Sequence, residues 1–134
     1  MVFLDTNVLV YAVDPRDSRK HNIASRIVEK AIERGGYHLS AQVLFEFSNA
    51  CQKKLGYGAE TVLKFLASLK YVPTLDQNAA LVTRAVEIKA LYGISLQDAM
   101  IVAAAERTGC SELLTEDLND GQMYAGVRVR NPFK

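Results

Sequence analysis

The sequence has no tryptophan and, in 134 residues, only two cysteines, two histidines and three prolines. Cys51 and Cys110 show neither CxxC nor Cys/His spacing, so we expect reduced thiols in the core rather than disulfides or a zinc site. No run approaches the ~20 apolar residues of a membrane span, and the amino terminus lacks the basic region and cleavage site of a signal peptide. We therefore expect a cytoplasmic protein that is not associated with a membrane.

A strong excess of one charge is also missing. Lysine and arginine number 16 and aspartate and glutamate 15, for a net charge of +1. Bulk charge therefore neither requires nor excludes a nucleic-acid partner, which a local patch would have to bind. There is no internal repeat, linker or low-complexity segment, so residues 1–134 are predicted to form one domain that buries roughly two-thirds of its unfolded surface.

Strand-like runs alternate with helical ones, which predicts an α/β fold with a mostly parallel sheet. The predicted strands are residues 2–4, 37–39, 71–74, 112–115 and 127–129. Between them lie amphipathic helices, such as the one over residues 23–32 that Gly35 ends. The run 99–106 is apolar over nearly its whole circumference and predicts a central, buried helix, capped by Ser95 and ended by Gly109.

Four acidic residues lie at the junctions of these elements. Asp5 directly follows the first strand, and Asp117 lies two residues past the fourth. In a parallel sheet both would project at the carboxyl edge, where such folds bind ligands. Asp98 lies in the first turn of the buried helix. Glu46 lies about a turn and a half into the helix after the second strand, at the border of its apolar face, from which it can reach inward.

Each acid also has a simpler explanation. Asp5 can cap the helix that follows it. Asp98 fits a capping pattern with Ser95 and suits the helix dipole. Asp117 lies in a polar stretch typical of a solvated turn, and Glu46 could be a solvated helix residue. These explanations are independent of one another, whereas a single site accounts for all four positions at once.

Such a cluster would need a cation. Two carboxylates about 4 Å apart repel by roughly 4 kcal/mol at an effective dielectric near 20, so several must bind a cation or take up protons. Hard oxygen ligands without cysteine or histidine favour Mg²⁺ or Mn²⁺ over zinc. The chemistry predicted from this is metal-assisted hydrolysis of a phosphodiester. A P-loop is excluded because no GxxxxGK[ST] run is present, and a paired-histidine nuclease is disfavoured because His38 is predicted far from Asp5.

The same residues carry a family resemblance. Residues 2–7 (VFLDTN) resemble the opening motif of the PIN-domain ribonucleases, and residues 40–47 (SAQVLFEF) resemble their second motif. Residues 95–105 (SLQDAMIVAAA) are similar to the third motif and residues 113–117 (LLTED) to the fourth. In size and motif order the chain looks most like the VapC toxins of prokaryotic toxin–antitoxin pairs. This resemblance implies a three-layer α/β/α fold with a mostly parallel sheet, Mg²⁺- or Mn²⁺-dependent endoribonuclease activity, homodimerisation and inhibition by a small antitoxin protein.

Carried onto this chain, the resemblance implies roles for seven residues. The acids that match the metal ligands are Asp5, Glu46, Asp98 and Asp117, and the polar residues that match those orienting the acids and water are Thr6, Asn7 and Thr115. Gln97 departs from the aromatic or hydrophobic residue expected before the third acid, which puts local packing or substrate preference in question. Asp120 is an extra acid to which the resemblance gives no role.

RNA would have to be held by basic residues near the site. Arg16, Arg19 and Lys20 follow the first helix and are the candidate substrate contacts. Phe45, Leu55, Phe65 and Leu69 can line a groove for an antitoxin helix or a dimer partner, or can pack in the core. Three alternatives remain open: a non-catalytic PIN-like module that binds RNA or protein, a PIN nuclease outside any toxin–antitoxin pair, and a DNA nuclease that uses the same acids.

Overall fold

The computed structural model describes residues 1–134 and alternates strands with helices. The strands are β1 (Val2–Leu4), β2 (Tyr37–Ser40), β3 (Thr74–Leu75), β4 (Glu112–Leu114), β5 (Met123–Tyr124) and β6 (Val127–Arg130). The helices are α1 (Thr6–Val13), α2 (Ser18–Arg34), α3 (Ala41–Lys53), α4 (Ala59–Leu69), α5 (Ala79–Tyr92) and α6 (Leu96–Arg107). The predicted α/β class with a mostly parallel sheet is confirmed.

The sheet has the order β3-β2-β1-β4-β6-β5, in which only the β5–β6 pair is antiparallel. The chain moves outward from β1 to β2 and β3, then returns to form β4 on the other side of β1. Because crossovers between parallel strands are right-handed, this reversal puts α1 to α4 on one face of the sheet and α5 and α6 on the other. The fold therefore has its topological switch point between β1 and β4, where ligands bind in sheets of this kind.

The core lies on both faces of the central strands. Phe3, Leu39 and Leu113 are fully buried at the sheet. Helix α6 packs against β2, β4 and β6 and buries one isoleucine, one valine and four alanines, which confirms the predicted central helix. The small alanine side chains allow α6 to approach the sheet closely. Its amino-terminal turn lies at the carboxyl edge of the sheet, where Gln42, two residues after β2, donates to the Gln97 carbonyl.

The third strand was predicted at residues 71–74, and this boundary is wrong. After α4 the chain makes a tight turn in which the Val72 N–H donates to the Leu69 carbonyl at 3.0 Å. Val72 turns inward and is buried, whereas Tyr71 is 74% exposed. Only Thr74 and Leu75 pair with β2. The sequence prediction also lacked β5, a two-residue strand held by a turn with Ala125 at φ 50° and Gly126 at φ 81°.

The sparse cysteines and histidines occupy defined places in the fold. Cys51 and Cys110 are both free and buried, which confirms them as core thiols. His38 lies on β2 opposite Phe3, and His21 lies on α2 with its Nδ1 2.8 Å from the Tyr11 carbonyl oxygen. No single helix is long and apolar enough to cross a membrane; α5 and α6 together have the composition of a span but are bent by 113°.

Candidate active site

Asp5 and Thr115 form the buried centre of the site. Asp5 is the first residue after β1 and Thr115 the first after β4, and these two strands are parallel neighbours. The Thr115 hydroxyl donates to Asp5 Oδ2 at 2.7 Å, and the Thr6 backbone N–H donates to Oδ1 at 2.6 Å. Asp5 is 6% exposed and Thr115 is fully buried. Asp5 is also the N-cap of α1, so the capping explanation holds together with a place in the site.

Thr115 links Asp5 to Asp117. Since its hydroxyl proton is donated to Asp5, its oxygen accepts from Asn7 Nδ2 and from the Asp117 N–H, both at 3.1 Å. Asn7 Nδ2 also donates to Asp117 Oδ2 at 3.1 Å. The orientation of the Asn7 amide follows, because a carboxylate oxygen can only accept. One buried hydroxyl therefore fixes two carboxylates and the amide between them.

Glu46 reaches the same place from α3. The Thr6 hydroxyl donates to Glu46 Oε1 at 2.8 Å, and Gln42 Nε2 approaches Glu46 Oε2 at 3.4 Å. The same Gln42 amide donates to the Gln97 carbonyl oxygen at 3.2 Å. This contact ties α3 to the first turn of α6, the turn that also carries Asp98. The half-buried Glu46 therefore points toward the switch point.

Asp98 completes the cluster from α6. Its N–H donates to the Ser95 hydroxyl oxygen at 3.0 Å, so Ser95 caps the helix as predicted. Asp98 is half-buried, and its carboxyl is close enough to Asp117 and Glu46 for their charges to affect its protonation. The structure thus brings the four acids from β1, α3, α6 and the segment after β4 to one edge of the sheet.

The cluster perturbs the protonation of its most buried members. Burial raises the pKa of Asp5 from 3.8 to about 7; the hydrogen bonds from Thr115 and Thr6 oppose this rise, and the charges of Asp117 and Asp98 add to it. Burial also raises the pKa of Asp98, with the Ser95 hydroxyl opposing and the nearby carboxylates adding to the effect. Acids held in this way favour either a proton or a cation.

The donor set fits a hydrated hard cation. No group of three or more His, Cys, Asp or Glu side chains is arranged closely enough to hold a metal ion, so the side chains alone form no cage for one. Mg²⁺ is usually bound through one or two carboxylates and keeps several waters, so it does not need such a cage. In addition, Asn7 Oδ1 is buried and accepts no hydrogen bond. An oxygen of this kind beside Asp117 can accept a hydrogen bond from cation-bound water. The oxygen-only chemistry suits Mg²⁺ or Mn²⁺ rather than zinc.

Two recesses, each bordered by one of the four acids, adjoin the cluster. One, of roughly 710 Å³, is lined by Glu46, Gln97, Lys53 and Lys54 among others. The other, of roughly 410 Å³, is lined by residues that include Asn7, Asp117, Arg16 and again Lys54. Thr6 and Lys54 belong to both. A chain-like ligand could therefore run from one recess to the other across Thr6.

The three candidate substrate cations lie at different positions. Arg16 borders the smaller recess with a side chain that is 70% exposed, although it pairs with Asp14 at 2.8 Å. Arg19 donates to the Phe133 carbonyl, on the carboxyl-terminal segment. Lys20 pairs with Glu116 at 2.8 Å and is 28% exposed. Of the three, only Arg16 both borders a recess and extends into solvent.

Asp120 and Gln97 can now be assigned to their surroundings. Asp120 accepts from the Asn131 N–H at 2.8 Å and lies 3.8 Å from the Lys134 amino group, so it joins the loop after β4 to the end of the chain. Gln97 is exposed at the rim of the larger recess, where its carbonyl accepts from Gln42.

Sequence reasoning missed Gln42 and the contacts of Glu116. Gln42 lies four residues before Glu46, the helical spacing that places two side chains on one face, and this signal was available in the sequence. Glu116 accepts from Tyr11 and Lys20, which are more than ninety residues away, and no local pattern indicates such contacts.

Comparisons with known proteins agree with this fold. A model of the PIN domain family matches residues 2–122. No curated protein sequence matches the chain. The structure is similar to VapC20 of Mycobacterium tuberculosis, a Sarcin-Ricin loop cleaving toxin, with a TM-score of 0.71 and 20% identity over 96% of this chain and 99% of that one.

Two solved complexes are also similar. A toxin–antitoxin complex from Klebsiella pneumoniae has a TM-score of 0.74 and 20% identity, covering 98% of both chains. VapBC2 from Rickettsia felis, bound to a DNA fragment from its promoter, has a TM-score of 0.69 and 19% identity, also covering 98% of both. At these identities the likeness establishes a shared fold.

Proposed function

The chain belongs to the PIN domain family, and on this basis we propose that it is a Mg²⁺- or Mn²⁺-dependent endoribonuclease and the toxin of a VapBC-type toxin–antitoxin pair. The observation that carries the proposal is the acid cluster at the switch point of the sheet. A buried carboxyl with a pKa of about 7, three further acids and a buried amide oxygen without a donor converge where a phosphodiester can enter from two recesses.

We propose that the four acids, Asp5, Glu46, Asp98 and Asp117, hold the hydrated metal ion between them. When bound, Mg²⁺ or Mn²⁺ lowers the pKa of water and stabilises the leaving oxygen of the phosphodiester. Thr115 holds Asp5 in place and so keeps its free lone pairs directed at the site. Thr6 does the same for Glu46, and Asn7 does so for Asp117.

The two recesses support single-stranded RNA as the substrate form. Lys54 borders both recesses, Lys53 borders the larger one and Arg16 borders the smaller one. Cations are therefore available on either side of the acids. Unpaired RNA can lay successive phosphates along such a path. Lys20 lies behind this recess, where it contacts the lining residues Tyr11 and Glu116. The likeness to a Sarcin-Ricin loop cleaving toxin supports a cleavage reaction of this kind.

The surface supports a protein partner. An apolar cleft between α1, α2 and α4 is lined by residues that include Ala12, Val13, Val28, Ile32 and Phe65. Such a cleft suits the apolar face of a short helix, and we propose that a small antitoxin supplies it. Two of the similar structures are of toxin–antitoxin systems, which supports this partner. We also propose that the protein acts in the cytoplasm as a homodimer, to which the 74% exposed Phe45 is the candidate contact.

Cleavage of labelled RNA by the purified chain tests the proposed activity. The substrates are an unstructured RNA, a Sarcin-Ricin loop RNA and a DNA of the unstructured sequence, each with Mn²⁺ and with EDTA. We expect endonucleolytic products from RNA only, and only with Mn²⁺. Asp98→Asn removes one acid without changing the shape of the side chain and should abolish cleavage.

Asp120→Asn is the matched control, because it neutralises a nearby acid that serves the loop and the end of the chain. It should leave cleavage unchanged. RNA binding without cleavage at any metal concentration would instead identify a non-catalytic module, and cleavage of DNA at an equal rate would identify a general nuclease. Full cleavage by Asp98→Asn would refute the assigned site.

A further inference from the structure

Beside the acid cluster lies a second polar cluster made of Tyr11, Lys20 and Glu116. The Tyr11 hydroxyl donates to Glu116 Oε1 at 2.7 Å, and the Lys20 ammonium donates to Oε2 at 2.8 Å. Lys20 also donates to the Tyr11 oxygen at 3.3 Å. Both carboxylate oxygens of Glu116 are thus occupied, by side chains from α1 and α2. The hydrogen bond to Glu116 raises the pKa of Lys20, which keeps the ammonium charged.

Aromatic packing covers this cluster. The Phe133 ring meets the Tyr11 ring edge to face at 5.0 Å between centroids, and Phe133 is buried. The Lys20 ammonium lies 4.9 Å from the Tyr11 centroid and 5.7 Å from that of Phe133. Arg19 donates to the Phe133 carbonyl and holds that ring in place. The side chains of Lys20 and Glu116 are 28% and 22% exposed, so their ion pair is only partly shielded from water, but its hydrogen bonds define its geometry.

The position of Glu116 in the chain connects this cluster to the acids. Strand β4 ends at Leu114, so residues 116 and 117 lie beyond the regular hydrogen bonding of the sheet. Asp117 itself is exposed and is held only by Asn7 and Thr115. Its neighbour Glu116 is fixed by two long-range hydrogen bonds, and successive Cα atoms are about 3.8 Å apart. Restraining Glu116 therefore restrains the backbone of Asp117.

We propose that Tyr11 and Lys20 are positioning residues that hold Asp117 in the metal site through Glu116. This inference rests on the proposed function, since it assigns Asp117 to the metal. It also gives Lys20 a different role from phosphate contact, because the Lys20 ammonium already has Glu116 and Tyr11 as partners. Groups that orient metal ligands typically contribute 10- to 100-fold to metal affinity.

Binding of Mn²⁺ alone, measured by the loss of the free-ion EPR signal in the absence of RNA, tests this role. We expect Lys20→Met to weaken Mn²⁺ binding about 10-fold. Tyr11→Phe removes one hydrogen bond to Glu116 without changing charge and should weaken binding in the same direction, and Lys20→Arg should restore most of the affinity. The control is Arg84→Met, which breaks a 2.8 Å ion pair with Glu106 of similar exposure, about two turns of α6 away from Asp98.

The kinetic behaviour separates positioning from RNA contact. A positioning role predicts that Lys20→Met cleaves slowly at low Mn²⁺, recovers at high Mn²⁺ and keeps the KM for RNA. A phosphate contact predicts unchanged Mn²⁺ binding, a raised KM and a smaller salt dependence of RNA binding. The second pattern would overturn the inference and leave the proposed function intact. If the wild-type chain bound no Mn²⁺ at all, the proposed function itself would fail.

Loss of folding in Lys20→Met does not prevent the test, because Tyr11→Phe keeps the ring and its packing against Phe133. Thermal unfolding of each variant checks that it is folded. Should Lys20→Met fail to fold, Mn²⁺ affinity equal to wild type in a folded Tyr11→Phe protein would refute the positioning role.

Discussion

Replacing Asp5 with asparagine is expected to stabilise the metal-free protein at alkaline pH while abolishing cleavage. Asp5 is 6% exposed, and burial raises its pKa from 3.8 to about 7. The folded state therefore binds this proton more tightly than the unfolded state does. By linkage, the stability that the protonated carboxyl contributes is complete below the unfolded pKa, decreases as the pH rises and is lost above about pH 7.

The magnitude follows from the width of this interval. The pKa of Asp5 is about 7, so a pH of about 5 lies two units below it, and each unit corresponds to ~1.4 kcal/mol. Through this one group the free energy of unfolding of wild type should fall by about 3 kcal/mol between about pH 5 and pH 8. Asp5→Asn has no charge to bury and does not lose this amount. Its amide replaces one acceptor oxygen facing Thr6 or Thr115, which costs roughly 1 kcal/mol at every pH.

Urea unfolding of both proteins in EDTA, at several pH values from about 5 to 8, gives the measurement. The informative quantity is the difference between the two free energies of unfolding. Other groups with shifted pKa values titrate in both proteins, for example Asp98 with a raised pKa and His38 with a lowered one. Their contributions largely cancel in the difference between the two free energies. The free energy of unfolding of Asp5→Asn should equal that of wild type or lie slightly below it at low pH. At about pH 8 it should exceed that of wild type by roughly 2 kcal/mol. Adding Mn²⁺ should stabilise wild type and leave the variant unchanged.

A free-energy difference that stays constant across this pH range would refute the reasoning, because it would show that Asp5 does not titrate between its unfolded and folded values. A variant less stable than wild type at about pH 8 in EDTA would do the same. Equal stabilisation of both proteins by Mn²⁺ would remove Asp5 from the metal site while leaving its burial intact.

Three further substitutions probe the neighbours of Asp5. Thr115→Val leaves Asp5 Oδ2 buried without its donor. It should lower the free energy of unfolding, measured by urea unfolding, by about 1–3 kcal/mol. The control Thr83→Val, on the exposed face of α5, should change it by less than about 0.5 kcal/mol. Gln42→Leu separates Glu46 from the Gln97 carbonyl and should reduce Mn²⁺-dependent cleavage about 10-fold with unchanged KM; equal rates would remove the amide from the site. Lys54→Ala should reduce the slope of log Kd against log salt for single-stranded RNA by about 0.7, as measured by fluorescence anisotropy, and an unchanged slope would show that the lysine makes no phosphate contact.

The sequence predicts the framework of the site because that framework is local. An apolar run that stops at Asp5 and a capped helix start at Ser95 are signals within a few residues, and the parallel sheet then brings their ends together. The α/β class and five of the six strands follow from the same kind of pattern, with boundaries within one residue except at β3. There the apolar Val72 belongs to a turn, and a single buried side chain does not distinguish a turn from a strand.

What could not be predicted depends on contacts between distant segments. The pairing of Lys20 with Glu116 spans 96 residues, and Gln42 reaches the Gln97 carbonyl across 55. Spacing within a helix places Gln42 beside Glu46 but cannot say what lies opposite. The pKa of Asp5 belongs to the same class, because it arises from burial by the assembled sheet and from charges on two other segments.

The order of the sheet also determines when the protein can become active during its own synthesis. Strand β4 is the direct neighbour of β1, yet it follows β1 by more than one hundred residues, and β6 comes later still. Until those strands leave the ribosome, Asp5 has no Thr115 hydroxyl to orient it and Asp117 has not been added. Under the proposed function, a nascent chain would therefore be inert toward RNA, and an antitoxin would have the full time of translation to be present before the site forms.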